Sequence, residues 1–593
     1  MNRGRNLPLP AICAVGACGF FFGLPNAFLH LPALALLHPF CLCLLAYCSP
    51  SDKSALLHGW LQGLAANAAG LYWMVHPMRE VAGIPLFVTL PLLLLLYAYL
   101  ACYAALTVLG MRRLRPYGPA LLGGLVFGGF EVLNSVIFTG FPWLTLTLAF
   151  AFTPALLQGA SLAGGYALSA VYAGAACQCA ASFCGGSERI DTENIRPLRG
   201  DLPANPCREI AAGRTCSAGK RQSQAQNALR SFGGAALALL LAGGLYLYGT
   251  ERLAPVSLPE DARPVLRFIM VQGNIDQGQK WNPSFQEATV SRYISLSRAA
   301  LGADAREGSK RRTDLVVWPE TAMPFHFSRR PDFAQRLRDF AAEERVRLAF
   351  GGIDLNTNGR TSLRNCLYLM SPGGAVPDRY DKMHLVPFGE YLPFTADIPF
   401  LRDLLQGMSF SAGTKAKPLF LDLRASDAGS HANGLPKENF PSADARPAPE
   451  RGGADFALSL GPLICYEVIF PYPAQEQVRQ GAGIILNVSN DGWFKKSSAP
   501  RQHLGHAVIR AVEQARPVIR ATNTGISALV DSRGRILVQS AGLFREESLK
   551  GEVGPGTERT LYHRLYPAPE IGLAAFAFFS LVIPGIRRKK TAP

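Results

Sequence analysis

The stretch GPLICYEVIF, residues 461–470, ends an apolar run at Cys465 and continues with Tyr466 and Glu467. A cysteine in this position can be an inert core side chain, half of a disulfide or a nucleophile. Two other strand-like runs of the same region lead to Glu320 and Lys382. This coincidence favours the nucleophile, because a nearby base and cation would lower the pKa of the thiol and supply thiolate.

Composition predicts that part of the chain lies in a membrane. Of 593 residues, 49% are hydrophobic and 17% are charged, and the long uncharged runs fall within the first 250 residues. A helix needs about 20 apolar residues to cross a bilayer. We predict about eight spans, at 9–24, 31–47, 55–75, 84–109, 120–138, 155–176, 232–248 and 571–586. No small-residue cleavage pattern follows the first run, so we keep it as a span rather than a signal peptide.

The basic residues between the spans predict the orientation. They cluster before the first span, between the fourth and fifth, in the polar linker 187–231 and after the eighth. We place all of these on the cytoplasmic side. The chain then divides into a membrane domain at 1–250, an external catalytic domain at 251–570, and a final helix with a basic tail at 571–593. The net charge of +16 fits this topology and anionic headgroups better than nucleic acid.

The external domain alternates strand-like runs with amphipathic helices, which is typical of a layered α/β fold with functional groups at strand ends. We predict strands at 265–275, 314–320, 346–353, 483–491 and 516–523. The segment 426–453 lacks apolar periodicity and is predicted to be a flexible insertion. We predict no metal or cofactor, because no cluster of His and Cys has metal spacing. The sequence does not decide whether Cys366 and Cys465 form a disulfide.

Each candidate residue can also be explained by an ordinary structural role. Glu320 follows Trp318 and Pro319, where partial desolvation would make it a base, yet a glutamate ending a strand is more often solvated or a helix cap. Lys382 would pair with an oxyanion or be a surface lysine. Glu131 is the one acidic residue inside a predicted span, where charge is costly and often functional. We expect it to bind a headgroup or to brace the helix against the external domain.

Several motifs carry a family resemblance. VVWPET, YDKMHLVPFGEYLPF, LICYEVIFP, NVSNDGWF and RAVEQARPVIRATNTGISALVD resemble the nitrilase superfamily, whose Glu-Lys-Cys triad lies on an α-β-β-α sandwich. The apolar N-terminus and VQGNIDQGQKW narrow the resemblance to its integral membrane branch, the apolipoprotein N-acyltransferase family. The resemblance covers nearly the whole chain and is most specific between residues 271 and 525. It implies a multispanning bacterial inner-membrane enzyme with its catalytic domain in the periplasm.

The resemblance also implies roles. Glu320 would be the general base, Lys382 would stabilise the oxyanion, and Cys465 would be acylated. The supporting residues would be Glu390, Tyr466, Glu467, Trp281 and Trp493, although either tryptophan fits simple core packing equally well.

The implied reaction moves an acyl chain from a phospholipid, typically phosphatidylethanolamine, through a thioester to the amine of a diacylglyceryl-cysteine on an apolipoprotein. We expect a loop near 388–394, or the insertion, to cover the site. A membrane-tethered amidase or hydrolase is the alternative, and a transporter or an inactive binding protein fits less well.

Overall fold

The computed structural model describes residues 8–117, 120–184, 236, 240–254, 265–306, 312–355, 362–373, 377–391, 410–422 and 457–590. The linker predicted at 187–231 and the insertion predicted at 426–453 lie outside these residues. Of the loop expected to cover the site, the structure describes 388–391.

The N-terminal part is helical. Its helices, together with the last helix of the chain, are Leu9–Gly23, Leu37–Cys48, Asp52–Gly70, Leu86–Leu114, Gly123–Val136, Pro154–Leu157, Ala160–Ala163, Gly165–Cys184, 240–252 and Ala568–Lys590. Within the described residues, three segments are long and apolar enough to cross a bilayer, namely Leu86–Leu114, Ala120–Thr139 and Gly165–Cys184. Leu9–Gly23, Pro32–Cys48 and Ala568–Val582 are apolar but shorter. Membrane-spanning helices are therefore supported, while the number eight stays a prediction.

The predicted span at 155–176 is wrong at its start. Two short helices precede Gly164, which has a φ of +87° and separates them from the helix Gly165–Cys184. A Cβ at Gly164 would lie 2.5 Å from Cε2 of Tyr562. This break, which sequence periodicity does not reveal, shifts the membrane helix towards the C-terminus.

The second part of the chain is built on two β-sheets. Its strands are β1 Leu266–Gln272, β2 Leu315–Val317, β3 Met323–His326, β4 Arg347–Leu355, β5 Leu363–Met370, β6 Asp378–Asp381, β7 Leu419–Asp422, β8 Ala457–Ile464, β9 Ile484–Ser489, β10 Val518–Thr522, β11 Ala528–Val530, β12 Ile536–Gln539 and β13 Glu547–Val553. One sheet has the order β13-β1-β2-β4-β5-β6, with β3 paired to β4, and the other has the order β12-β11-β10-β9-β8-β7. All five predicted strands are present.

The two sheets pack face to face through an apolar layer that includes Phe268 and Leu486. The helices Gln286–Arg306 and Pro331–Glu343 cover the outer face of the first sheet. The helix Ala499–Gln514 covers the second sheet and shares one continuous core with the membrane helices. The arrangement is the expected α-β-β-α sandwich, and its second helical layer is packed directly on the membrane domain.

Gly351 in β4 controls how closely the turn after β2 approaches the sheet. A Cβ on Gly351 would lie 2.5 Å from the Thr321 nitrogen and 2.7 Å from the Cα of Glu320. Both neighbours are main-chain atoms, so a clash there cannot be relieved by a rotamer change. A Cβ on the adjacent Gly352 would meet its nearest atom, in Tyr368, at 3.4 Å.

We therefore expect Gly351→Ala to destabilise the protein by about 1–3 kcal/mol, the usual cost of overpacking. Gly352→Ala is the matched control and should have a smaller effect. Thermal unfolding of both variants in the same detergent measures the difference. Equal melting temperatures would contradict the close approach of the turn to β4.

Candidate active site

The structure brings Glu320, Lys382 and Cys465 together. Glu320 follows β2, Lys382 follows β6, and Cys465 follows β8 of the other sheet. All three are buried, with exposed fractions of 6%, 1% and 9%. The Lys382 Nζ lies 3.5 Å from Glu320 Oε1, and the charges of both residues act on the Cys465 thiol. A carboxylate, an ammonium and a thiol thus share one enclosed space between the sheets.

The Glu320 carboxylate is held from both sheets. Its Oε1 accepts a hydrogen bond from Nδ2 of Asn365 in β5 (2.9 Å), and its Oε2 accepts one from the backbone N–H of Asn490 after β9 (2.9 Å). The next residue, Thr321, has a φ of 49°, a left-handed conformation that strains a β-branched residue. The carboxylate is therefore fixed in orientation before any substrate arrives.

Lys382 is paired with two carboxylates. Its Nζ lies 3.0 and 2.9 Å from the two oxygens of Glu390, in addition to its contact with Glu320. Glu390 is itself fixed by Asn365 Nδ2 (2.8 Å) and the Val386 N–H (2.8 Å). Burial opposes the charge, but the two carboxylates hold the pKa of Lys382 above its usual value. Lys382 therefore stays an ammonium.

Cys465 has a strained backbone and a protonated thiol. Its φ is 52°, and its carbonyl oxygen accepts a hydrogen bond from His503 Nε2 at 3.1 Å. Burial is the largest cause that raises the pKa of the thiol, and the negative charge of Glu320 is the second. Together they outweigh the lowering by the Lys382 ammonium. The expectation of a lowered pKa is wrong, because desolvation outweighs the nearby cation. The thiol needs a base to become a nucleophile.

Glu467 joins the two strand ends that carry Lys382 and Cys465. Its Oε2 accepts from the Ile464 N–H at 2.7 Å, and its Oε1 accepts from the Met383 and His384 N–H groups at 2.7 and 3.1 Å. The Tyr380 hydroxyl donates to the same carboxylate at 2.9 Å. Burial raises the pKa of Glu467 to about 7, although these backbone hydrogen bonds act in the opposite direction.

The other predicted residues are more dispersed. Tyr466 donates to the Gly140 carbonyl at 3.3 Å and stacks 6.4 Å from the ring of Trp143, so it faces the membrane domain. Trp281 is 45% exposed. Trp493 is partly buried in a short 3-10 helix, Asp491–Phe494. None of the described contacts of Glu131 reaches Glu320, Lys382 or Cys465; its Oε1 accepts from the Leu146 N–H at 2.7 Å.

The alternative of a disulfide is excluded, because Cys366 and Cys465 are both free thiols. Cys366 lies in the core between the first sheet and its helices, whereas Cys465 lies between the sheets. Within the part of the chain that the structure describes, no group of three or more His, Cys, Asp or Glu side chains could hold a metal.

Sequence reasoning missed four residues of this site. They are Asn365, Asn490, Lys280 and His503. Asn490 and Lys280 lie within the quoted motifs, NVSNDGWF and VQGNIDQGQKW, and closer attention to those motifs would have found them. Asn365 and His503 carry no such signal, because their contacts depend on strand pairing and helix packing far along the chain.

Two family models match the chain. One is described as carbon-nitrogen hydrolase and matches residues 270–561, and the other is described as apolipoprotein N-acyltransferase N-terminal domain and matches residues 18–178. The apolipoprotein N-acyltransferase of Geobacter metallireducens is 34% identical over 526 residues, which cover 88% of this chain and 85% of that protein. The corresponding protein of Methylococcus capsulatus is 30% identical over 552 residues, covering 91% and 90%.

Solved structures of two nitrilase-type proteins are also similar. Saccharomyces cerevisiae Nit3, described as a member of branch 10 of the nitrilase superfamily, is 17% identical with a TM-score of 0.34, covering 52% of this chain and 97% of Nit3. An amidase from Nesterenkonia sp. is 17% identical with a TM-score of 0.33, covering 53% of this chain and 97% of the amidase.

The hydrogen bonds of Glu467 lead to a stability prediction. Glu467→Gln replaces one acceptor oxygen by a donor NH2, so at least one buried backbone N–H loses its partner. We expect a loss of about 1–3 kcal/mol from this change and a larger loss from Glu467→Ala. Thermal unfolding measures both. Glu476→Gln, at a partly exposed position of the helix Pro471–Arg479, is the control. A Glu467→Gln protein as stable as this control would disprove the bridging role.

Proposed function

This chain belongs to the apolipoprotein N-acyltransferase family, and we propose that it transfers acyl groups through a thioester on Cys465. As a member of that family it is an acyltransferase that N-acylates lipoproteins. The observation that carries the proposed chemistry is the buried ion pair of Glu320 and Lys382, whose charges both act on the buried Cys465 thiol. Phosphatidylethanolamine or a similar phospholipid would be the donor, and a diacylglyceryl apolipoprotein would be the acceptor.

The first half of the reaction acylates Cys465. Glu320 accepts the thiol proton, and the sulfur attacks the ester carbonyl of the phospholipid, so that a C–S bond forms. The Lys382 ammonium stabilises the oxyanion of the tetrahedral intermediate. The intermediate collapses with cleavage of the ester C–O bond, and Glu320 returns the proton to the lysophospholipid oxygen. A protonated resting thiol fits this order, because the base acts only when a substrate is present.

The second half transfers the acyl group to the amine. Glu320 accepts a proton from the α-amine of the diacylglyceryl-cysteine while the nitrogen attacks the thioester. A C–N bond forms, the C–S bond breaks, and the departing sulfur takes the proton from Glu320. The thiol and the carboxylate are thereby restored. Splitting one acyl exchange between two lipids into two steps is the general advantage of covalent catalysis.

The surrounding residues support these steps in the proposal. Glu390 orients Lys382, and Glu467 holds the Lys382 and Cys465 segments together. Tyr466 connects the nucleophile turn to the membrane domain. Trp281 and Trp493 would contact the lipid chains. The exposed Phe388, with a φ of 61°, would belong to the cover that excludes water from the thioester.

The orientation in the membrane is also a proposal. At the start of the helix Asp52–Gly70, Asp52 forms ion pairs with Arg112 and Arg113. Beyond its other end, the Tyr72 hydroxyl lies 3.0 Å from Oγ of Ser498 in the catalytic part. Nineteen helical residues span about 28 Å, close to the thickness of a hydrocarbon core. The arginines and the catalytic domain thus lie at opposite ends of this helix, which favours a cytoplasmic basic side and a periplasmic site. The number of about eight spans remains part of the proposal.

The thioester predicts a specific adduct. Incubation of the purified protein with phosphatidylethanolamine and no acceptor should give a hydroxylamine-labile acyl group on Cys465, detected by peptide mass spectrometry. A diacylglyceryl-cysteine peptide should remove it as an N-acyl product. Cys465→Ser should give no such adduct, and Glu320→Gln should slow its formation by about 10²- to 10⁴-fold, the usual contribution of a general base.

Cys366→Ser is the matched control, since Cys366 is the other buried thiol among the described residues of this domain. It should acylate at the wild-type rate. An adduct that decays only to free fatty acid, with the peptide unmodified, would favour the hydrolase alternative. No adduct at all would rule out the thioester.

For Glu131 we propose bracing rather than headgroup binding. Its Oε1 accepts from the Leu146 N–H at 2.7 Å, and Leu146 begins the segment Leu146–Phe150, which shares the core of the helix Ala499–Gln514. The carboxylate therefore holds a membrane helix to the layer beneath the catalytic sheet.

A glutamine can make the same hydrogen bond, whereas an alanine cannot. We expect Glu131→Gln to keep the melting temperature and transfer rate, and Glu131→Ala to lose about 1–3 kcal/mol of stability. The two variants are compared by thermal unfolding and by the acyl-transfer assay. If both variants fold normally but lose transfer equally, headgroup binding by the charge is the better explanation.

A further inference from the structure

Lys280 is a second lysine in the site, and the catalytic steps above do not use it. It lies on the turn after β1 and is 1% exposed. Its Nζ donates to the backbone carbonyl of Glu320 at 3.2 Å. The same turn is also connected to Glu320 through Asn490. The Asn490 side chain donates to Gln277 Oε1 (2.8 Å), and the Asn490 backbone N–H donates to Glu320 Oε2 (2.9 Å).

Lys280 differs from Lys382 in its partners. Lys382 lies between two carboxylates, whereas no carboxylate lies within ion-pair distance of Lys280 among the described residues. A buried ammonium without a carboxylate partner is rare, because desolvation is costly. Besides the hydrogen bond to the Glu320 carbonyl, this desolvation cost is offset by the negative charge of Glu320 and, when it ionises, by that of Cys465.

The charges around Glu320 show what this lysine supplies. Three carboxyl groups, those of Glu320, Glu390 and Glu467, interact with the single ammonium of Lys382. Lys280 adds a second positive charge to this set, next to Glu320. A positive charge beside a buried carboxyl group favours its ionised form.

We propose that Lys280 is a positioning residue whose buried ammonium keeps Glu320 ionised, and therefore able to accept a proton from Cys465 and later from the acceptor amine. This inference rests on the proposed thioester function. Lys280 acts through Glu320 and is not itself a proton donor or acceptor in either half of the reaction.

The effect depends on pH in a defined direction. Burial lowers the pKa of Lys280 to about 8, while the charges of Glu320 and Cys465 act against this shift. The ammonium is therefore present below pH 8 and is lost above it. The other titratable or charged groups around the site are Lys382, Glu390, Glu467 and the buried Asp491–Arg520 pair, with His503 on Asp491. Removal of Lys280 should impair the enzyme at low pH, and the difference should vanish where the wild-type lysine is itself neutral.

The test measures single-turnover acylation of Cys465 by phosphatidylethanolamine, without acceptor, between pH 4.5 and 9.5. We expect Lys280→Met to move the acidic limb of the rate profile upward by about one pH unit, which is about a 10-fold loss of rate on that limb. The ratio of wild-type to variant rates should approach one above pH 8.5. Lys280→Arg should keep the wild-type limb, because it keeps the charge.

Lys280→Gln separates the charge from the hydrogen bond, since an amide can still donate to the Glu320 carbonyl. It should shift the limb as Lys280→Met does, and it serves in place of that variant if Lys280→Met does not fold. Lys550→Met, a partly exposed lysine paired with Asp304, is the control and should match the wild type.

A rate loss that is the same at every pH, or an acidic limb that does not move, would overturn the role of Lys280. The wild-type protein must form the adduct in the same experiment. Its failure to do so would instead disprove the thioester function, so the two results are distinguishable.

Discussion

The geometry of this protein depends on one buried carboxylate, that of Glu467. Lys382 follows a strand of the first sheet and Cys465 follows a strand of the second, so no strand pairing fixes the distance between them. Glu467 accepts hydrogen bonds from the backbone on both sides, next to Lys382 and next to Cys465. Because it is fully buried, its loss would leave several donors without water as a substitute. One side chain therefore connects the ends of strands from two sheets at the candidate active site.

The catalytic part is also inseparable from the membrane part. The indole N–H groups of Trp73 and Trp143, from two membrane-domain loops, donate to the same oxygen of Gln502 at 3.2 and 2.8 Å. Gln502 lies on the helix Ala499–Gln514, whose residue His503 donates to the Cys465 carbonyl. A short chain of contacts thus joins the membrane helices to Cys465. Every side chain of this helix except that of Arg501 is buried, so both of its faces are covered.

The sequence predicted which residues meet at the site better than it predicted their supports. The run LVV indicated the strand before Glu320, and the apolar residues that end in Leu463 and Ile464 indicated the strand before Cys465, because buried central strands are continuous apolar segments. The antiparallel strand β5, which supplies Asn365, reads LRNCLYLM and has no such run, so it was not predicted. The break at Gly164 was missed because it depends on Tyr562, almost 400 residues away. The raised pKa of the Cys465 thiol was missed because the burial of a side chain, unlike the charges of its sequence neighbours, cannot be read from the adjacent residues.

That protonated thiol has a consequence for the survival of the enzyme. The thiolate is the form of cysteine that attacks peroxides and disulfides, and a cysteine whose pKa lies above its usual value presents little thiolate. The Cys465 thiol is therefore less readily converted to sulfenic acid than an exposed thiol of ordinary pKa. The same burial that would make the proposed nucleophile depend on Glu320 thus also slows its oxidation.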